Sequence, residues 1–153
     1  MRKIISALVA AIFGLMLTAA PILAQTPITA TVTVSTVCEL NVNINPIGFG
    51  DLAQTQSSGI KTKDVTLTTN TPATVSISGD TWTGPHSTMP VSQTKYDLNL
   101  TSGDPTTPLG SGATLFGPVT TNTGGTVSLQ VTIPAVQRAD TYTQHITFTL
   151  SCP

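Results

Sequence analysis

The feature that most constrains the fold is a recurrent alternation of apolar and polar residues. In TVSLQVTIP, residues 126–134, the apolar positions Val127, Leu129, Val131 and Ile133 fall on one side of an extended chain. A period of two is typical of a β-strand with one buried face. Threonine makes up about a fifth of the chain and suits the exposed face of a sheet. The sequence therefore predicts an all-β protein.

Similar runs, separated by Gly, Pro and Asn, predict the other strands. They lie at residues 40–44, 64–70, 73–79, 96–103 and 142–152, with a short strand around Leu115. Several short strands with a cysteine near each end favour an immunoglobulin-like two-sheet sandwich over residues 38–153. An up-and-down barrel is the alternative, because the number of strands does not separate the two folds.

The first 24 residues have the features of a secretory signal peptide. Arg2 and Lys3 precede the apolar run IISALVAAIFGLML, and small Ala24 is placed for cleavage before Gln25. No second apolar run follows. The sequence therefore predicts a secreted protein, extracellular or on the cell surface, with no direct membrane span after signal removal.

Residues 25–37 predict an N-terminal strand that carries no charge. Its apolar positions alternate with Thr and Ser, and they are Ile28, Ala30, Val32 and Val34. A single strand from there to Ile44 would span about 55 Å at roughly 3.3 Å per residue, so we expect a break near residues 35–37.

The N-terminal strand has two possible destinations. It can complete the sheet of its own chain, or it can be donated to a neighbouring molecule through the four apolar positions. Six predicted strands follow Cys38, whereas an immunoglobulin-like sandwich has about seven, and this difference favours donation. A longer strand near Leu115 would restore the number without a partner.

Cys38 and Cys152 are the two cysteines of the sequence. In a secreted chain an even cysteine count predicts a disulfide. The bond would close a loop of 114 residues, which is worth about 4–5 kcal/mol in the chain-entropy model.

Side chains that could act as acids, bases or metal ligands are scarce. Residues 25–153 carry four positive and seven negative side chains, so their net charge of −3 argues against nucleic-acid binding. His145 falls on the polar face of the last predicted strand, and His86 with Asp80 is a very weak metal signal. We therefore predict no enzyme activity, no cofactor and no metal site.

Two positions suggest that the protein binds or carries carbohydrate. Trp82, the only tryptophan, could stack on a sugar ring, or it could close one end of the sandwich. Asn99 begins the sequon Asn-Leu-Thr and is a possible glycosylation site on the outward side of its strand. A monomeric carbohydrate- or surface-binding module is therefore the alternative function.

Both ends of the mature chain resemble a known family. CELNVNINPIGFGDL and GTVSLQVTIPAVQRADTYTQHITFTL are similar to the ends of spore coat U-like domains, the subunits of archaic chaperone–usher pili. The resemblance implies an incomplete sandwich, completed by a strand from the next subunit, and an assembly chaperone.

The second cysteine of that family lies in an internal strand, whereas here it is Cys152. The central segment beginning ATVSISGDTWTG also resembles sandwich domains of archaeal cell surfaces, some of which form filaments. The leading expectation is therefore the broader class, a structural subunit of an extracellular filament, pilus or coat that assembles with like subunits.

Overall fold

A computed structural model describes residues 31–153, and Ser35–Pro153 forms one compact unit. The protein is all-β, as the alternation predicts. The strands are β1 (Cys38–Val42), β2 (Lys61–Thr69), β3 (Ala73–Gly79), β4 (Trp82–Thr83), β5 (Thr88–Met89), β6 (Thr94–Leu98), β7 (Thr107–Pro108), β8 (Ala113–Val119), β9 (Thr123–Val131) and β10 (Ile146–Ser151), with a 3₁₀ turn at Val91–Gln93.

The strands form two main sheets, both antiparallel. One has the order β1-β2-β9-β6-β7 and the other the order β10-β3-β8, while β4 and β5 pair separately. Each main sheet is open and has two edge strands. Two open sheets that share one core form a sandwich-like arrangement, so the sandwich prediction is confirmed in preference to a barrel.

The shared core comes from the inward positions of the central strands. Leu67 and Leu129 from the first sheet and Val75 and Ile77 from the second are fully buried. Each lies in a strand whose alternate residues face away, so the period of two in the sequence becomes the two faces of each sheet. A second cluster contains Trp82, and its ring meets that of Phe49 edge-on at a centroid distance of 5.9 Å.

Strand β8 differs most from the sequence prediction. It has seven residues, Ala113–Val119, where the sequence indicated only a short strand around Leu115. Its register with β3 shifts twice, between Ala73 and Val75 and between Val75 and Ser76 of β3, so its side chains do not alternate regularly. Seven strands of five or more residues therefore follow residue 37, and the strand count no longer argues for a donated strand.

The ends of other elements also differ. Ile44 was expected on the same side as Leu40 and Val42, but β1 ends at Val42 and the side chain of Ile44 is 93% exposed. The last strand begins at Ile146 rather than at residue 142. The two-residue strands β4, β5 and β7 were not predicted, because two residues are too few to show alternation.

Part of the N-terminal prediction lies outside the described residues. This holds for the signal peptide, for Ile28 and for Ala30. The described remainder of the predicted N-terminal strand, residues 31–37, contains no strand in this single chain.

Candidate functional site

An open apolar groove of about 760 Å³ runs between β1 and β10, the first and last strands of the sandwich. Both are edge strands, one in each main sheet, so the groove lies where the two sheets part. Its floor is formed by side chains from these strands and from the segment after β1. They are Leu40, Val42, Ile47, Phe49, Ile146 and Phe148.

The floor residues are only partly buried. Leu40 and Val42 point inward from β1, and Ile146 and Phe148 point inward from β10, but all four remain partly accessible to solvent. Their outward neighbours are more exposed, so the alternation is kept although the inner face is incompletely covered. The groove therefore offers apolar surface that further burial would stabilise.

Both walls of the groove have an unpaired backbone edge. Among the described strands, β1 pairs only with β2 and β10 pairs only with β3. Within residues 31–153 the other edge of each strand has no strand partner, so its backbone N–H and C=O groups can bind an extended segment. The groove thus combines the two requirements for strand addition, an apolar floor and free backbone partners.

A disulfide closes one end of the groove. Cys38 at the start of β1 is bonded to Cys152 just after β10, with a Cα–Cα distance of 6.7 Å. The sequence prediction of this bond is confirmed. The bond links the edge strands of the two sheets. We call the end of the sandwich at which it lies the disulfide end.

The opposite end of the groove is polar, and we call it the Lys63 end. Lys63 lies in β2 in phase with the buried Val65 and Leu67, so its partly buried side chain points inward. Its Nζ donates a hydrogen bond to the backbone carbonyl of Asn45. The sequence analysis missed this residue, although its odd-numbered position in the alternating run of β2 was a usable signal.

The two histidines bind different carboxylates. The backbone N–H of His145, on the rim of the groove, donates to Asp80 at 2.7 Å, and its Nδ1 lies 3.0 Å from the second carboxylate oxygen. These hydrogen bonds hold the pKa of Asp80 below its ordinary value of 3.8. His86 contacts Asp140 instead, at 3.2 Å between side chains.

The weak metal signal from His86 and Asp80 therefore does not correspond to a shared site, since each contacts another residue. Within residues 31–153 no group of three or more His, Cys, Asp or Glu side chains is arranged to hold a metal ion.

Trp82 lies in the core and is only 8% exposed. Its indole N–H donates to Thr94 Oγ1 at 2.9 Å, and that hydroxyl donates to Gln144 at 2.8 Å. A ring so enclosed has little surface on which a sugar could stack. Its place is that of a plug between the sheets, and the carbohydrate-binding alternative loses its main support.

Asn99 is exposed, as its position in the sequence predicts. It follows β6 with a φ of 55°, and its side-chain Oδ1 accepts a hydrogen bond from the N–H of Thr126 at 2.9 Å. Glycosylation of this residue stays a prediction.

A smaller cavity of about 500 Å³ lies beside the groove, between the segment after β1 and the crossover from β9 to β10. Its polar side chains bind one another. Gln137 donates to Tyr142 Oη at 2.6 Å, and that hydroxyl donates to the carbonyl of Arg138 at 2.8 Å. Because these groups already have partners, the cavity is a weaker candidate site than the groove.

Two exposed valines belong to the predicted N-terminal strand. Val32 is 85% exposed and Val34 is 76% exposed. Both are apolar and uncharged, and their burial elsewhere would be favourable.

No helix within the described residues is both long enough and apolar enough to cross a membrane. The chain matches no protein-family model and has no significant match among curated proteins.

Proposed function

We propose that this protein is a structural subunit of an extracellular filament, pilus or surface coat. In this proposal the N-terminal arm, residues 26–35, of one copy enters the groove of a second copy as an added strand. The observation that carries the proposal is the groove itself. Two free strand edges beside a partly buried apolar floor are what strand addition requires.

The arm suits the groove in length and pattern. From Ile28 to Val34 an extended chain spans about 20 Å at roughly 3.3 Å per residue, and β10 spans about 17 Å. The apolar side chains of the arm recur every second residue and so face the floor together. Burying a valine side chain contributes about 1.5–3 kcal/mol, and the two described valines of the arm are exposed in the single chain.

The direction of the added strand decides the kind of assembly. The arm leaves the body at the disulfide end, because residues 35–37 directly precede Cys38. If the arm runs antiparallel to β10 of the second copy, its C-terminal end lies at the Lys63 end of that copy. Unlike ends then meet, and the contact repeats into an open filament.

If the arm instead runs parallel to β10, two disulfide ends meet and a closed pair results. The edge of β10 is the longer one, with six residues against five in β1. Since antiparallel pairing is slightly the more stable per residue, the longer edge favours the filament.

The predicted signal peptide and the disulfide support a place outside the cell, since disulfides persist in oxidising compartments. The bond also suits a load-bearing subunit. Tension on the arm reaches the chain at Cys38, and the bond to Cys152 passes it directly to the opposite sheet. The assembly chaperone implied by the family resemblance would, in this proposal, cover the groove before assembly.

A matched pair of full-length variants tests the proposal. Val32→Asp places a carboxylate on the apolar side of the arm, and we expect it to abolish assembly. Thr33→Asp adds the same charge one residue away, on the opposite side, and should assemble as the unsubstituted protein does. Sedimentation velocity and negative-stain microscopy of the purified protein give the readout.

The opposite results would contradict the proposal. If the unsubstituted protein is a stable monomer at high concentration, with its arm protected from hydrogen exchange, the arm completes its own chain. The protein would then fit the alternative of a monomeric surface-binding module.

A further inference from the structure

Asn70, in the turn between β2 and β3, holds the point at which the arm leaves the body. Its side-chain Oδ1 accepts from the N–H of Val37 at 2.7 Å, and its Nδ2 donates to the carbonyl of Ser35 at 2.8 Å. Its own backbone N–H donates to the carbonyl of Val37 at 3.1 Å. We call these three hydrogen bonds the Asn70 clasp.

The clasp continues β1 beyond its first residue. If the antiparallel register of β1 and β2 is extended, Val37 falls opposite Asn70 and Ser35 falls opposite Pro72. Proline has no N–H to offer. The side chain of Asn70 therefore supplies the donor that the turn lacks, and it ties Ser35 and Val37 to the turn between β2 and β3.

An arm that filled the groove of its own chain would need the opposite geometry. It would have to reverse just before Cys38 and run back antiparallel to β1. The shortest reversal that keeps Val32 and Val34 on the inner face is a three-residue turn at residues 35–37, which pairs Val34 with Cys38 and Val32 with Leu40. The clasp opposes this turn, because it binds the carbonyl of Ser35 on the β2 side.

Strand pairing by itself does not prevent self-filling. A self-filling arm is antiparallel to β1 and parallel to β10, whereas an arm donated head to tail is parallel to β1 and antiparallel to β10. Each arrangement has one pairing of each kind. A tethered segment has an effective concentration in the millimolar range, so donation at micromolar protein requires that the strain of the turn at residues 35–37 and the clasp together oppose self-filling.

We propose that Asn70 is a positioning residue for strand donation. Its clasp keeps the arm out of the groove of its own chain and so leaves that groove accessible to the arm of a second copy. This inference rests on the proposed function and names the residue that directs the arm.

The test compares full-length mature proteins, diluted from denaturant to about 0.1 μM, in the uptake of a fluorescent peptide of residues 26–35. Asn70→Ala removes both side-chain bonds of the clasp but keeps the backbone bond to Val37. Asn122→Ala is the matched control. Asn122 accepts from the N–H of Thr69 at 2.9 Å, at the same end of the sandwich, and has no hydrogen bond to residues 35–37.

We expect the unsubstituted protein and Asn122→Ala to take up the peptide at similar rates. Asn70→Ala should take it up at least tenfold more slowly, since two neutral hydrogen bonds are worth about a factor of ten together. It should also remain monomeric where the unsubstituted protein assembles. A further variant, Val37→Gly, supplies the left-handed position of the three-residue turn and shows how a self-filled chain behaves.

Hydrogen exchange separates positioning from ordinary stabilisation. A self-filled groove gives the arm backbone partners, so the amides of residues 31–34 should exchange more slowly in monomeric Asn70→Ala than in the unsubstituted protein. A merely structural clasp would instead give faster exchange on removal.

If Asn70→Ala takes up peptide as fast as the unsubstituted protein and assembles normally, the inference is overturned and the proposed function stands. If the unsubstituted protein neither takes up the peptide nor assembles, both the proposed function and the inference fail.

Discussion

The centre of the sandwich and its β1–β10 edge are made of the same kind of alternating strand, but they differ in what covers them. Leu129 in β9 has a neighbouring strand on each side and the opposite sheet above it, and it is fully buried. Phe148 in β10 also points inward, but it lies on the groove and is partly exposed. An inward position is therefore not always a closed one, and the difference marks where this fold can accept another strand.

The disulfide is the strongest link between these two regions, and its removal should have the largest effect. Replacing Cys38 and Cys152 together with serine should lower the free energy of unfolding by about 4–5 kcal/mol, because the unfolded chain gains the freedom of a 114-residue loop. Denaturant unfolding of both proteins at one low concentration gives the value. A loss below about 1 kcal/mol would mean that the edge strands hold together without the bond.

Sequence alternation was sufficient to predict the central strands. The runs in β3 and β9 alternate strictly, because both strands lie within sheets and turn their apolar side chains toward the shared core. The disulfide followed from the cysteine count. Strand β8 was underestimated because its shifted register disrupts the period that marks a strand.

The groove itself could not be predicted from the sequence. Its lining brings together Leu40 and Phe148, which are far apart in the chain, and no local pattern records that both line one groove. Alternation says which side chains point inward, but not whether another element covers them. For the same reason the role of Asn70 could not be predicted, since its partners lie about 33–35 residues earlier in the chain.

Alanine substitutions at Leu129 and at Phe148 should lower the stability of the monomer by different amounts. In the monomer, Leu129→Ala should cost about 2–5 kcal/mol of stability, because it leaves a cavity in a closed core. Phe148→Ala should cost about half the 3–5 kcal/mol typical of a buried phenylalanine, since its ring is partly exposed. Chemical unfolding of monomers gives both values.

The effects of the two substitutions on assembly should have the opposite order. Phe148→Ala should weaken filament formation more than Leu129→Ala does, once each is measured under conditions where the body stays folded. Equal effects of the two variants on assembly would mean that the floor of the groove is not a docking surface.

A matched pair of threonines sharpens the comparison with a smaller effect. Thr94 is fully buried and its hydroxyl joins Trp82 to Gln144, so Thr94→Val should cost about 1–3 kcal/mol by leaving buried polar groups unpaired. Thr149 faces solvent from β10, and Thr149→Val should change stability by less than about 0.5 kcal/mol. Thermal unfolding of both variants tests this, and similar losses would contradict the picture of a closed centre and an open edge.

The smallest effect should be the pH response of the groove rim. The pKa of Asp80 lies below 3.8 in the folded chain, chiefly because the N–H of His145 donates to its carboxylate. A depressed pKa contributes stability that is present above the unfolded value and is lost as the pH falls through the folded value. Between about pH 5 and about pH 2 the unsubstituted protein should therefore lose a small part of its stability that Asp80→Asn does not lose.

This acid response should begin at the rim. His145 lines the groove and Asp80 follows β3, so protonation of the carboxylate weakens the link between them while the buried centre keeps its contacts. Hydrogen exchange at low pH should show faster exchange at residues 143–147 than in β9. Equal acceleration in both regions, or an unchanged acid response in Asp80→Asn, would mean that this pair does not hold the rim in place.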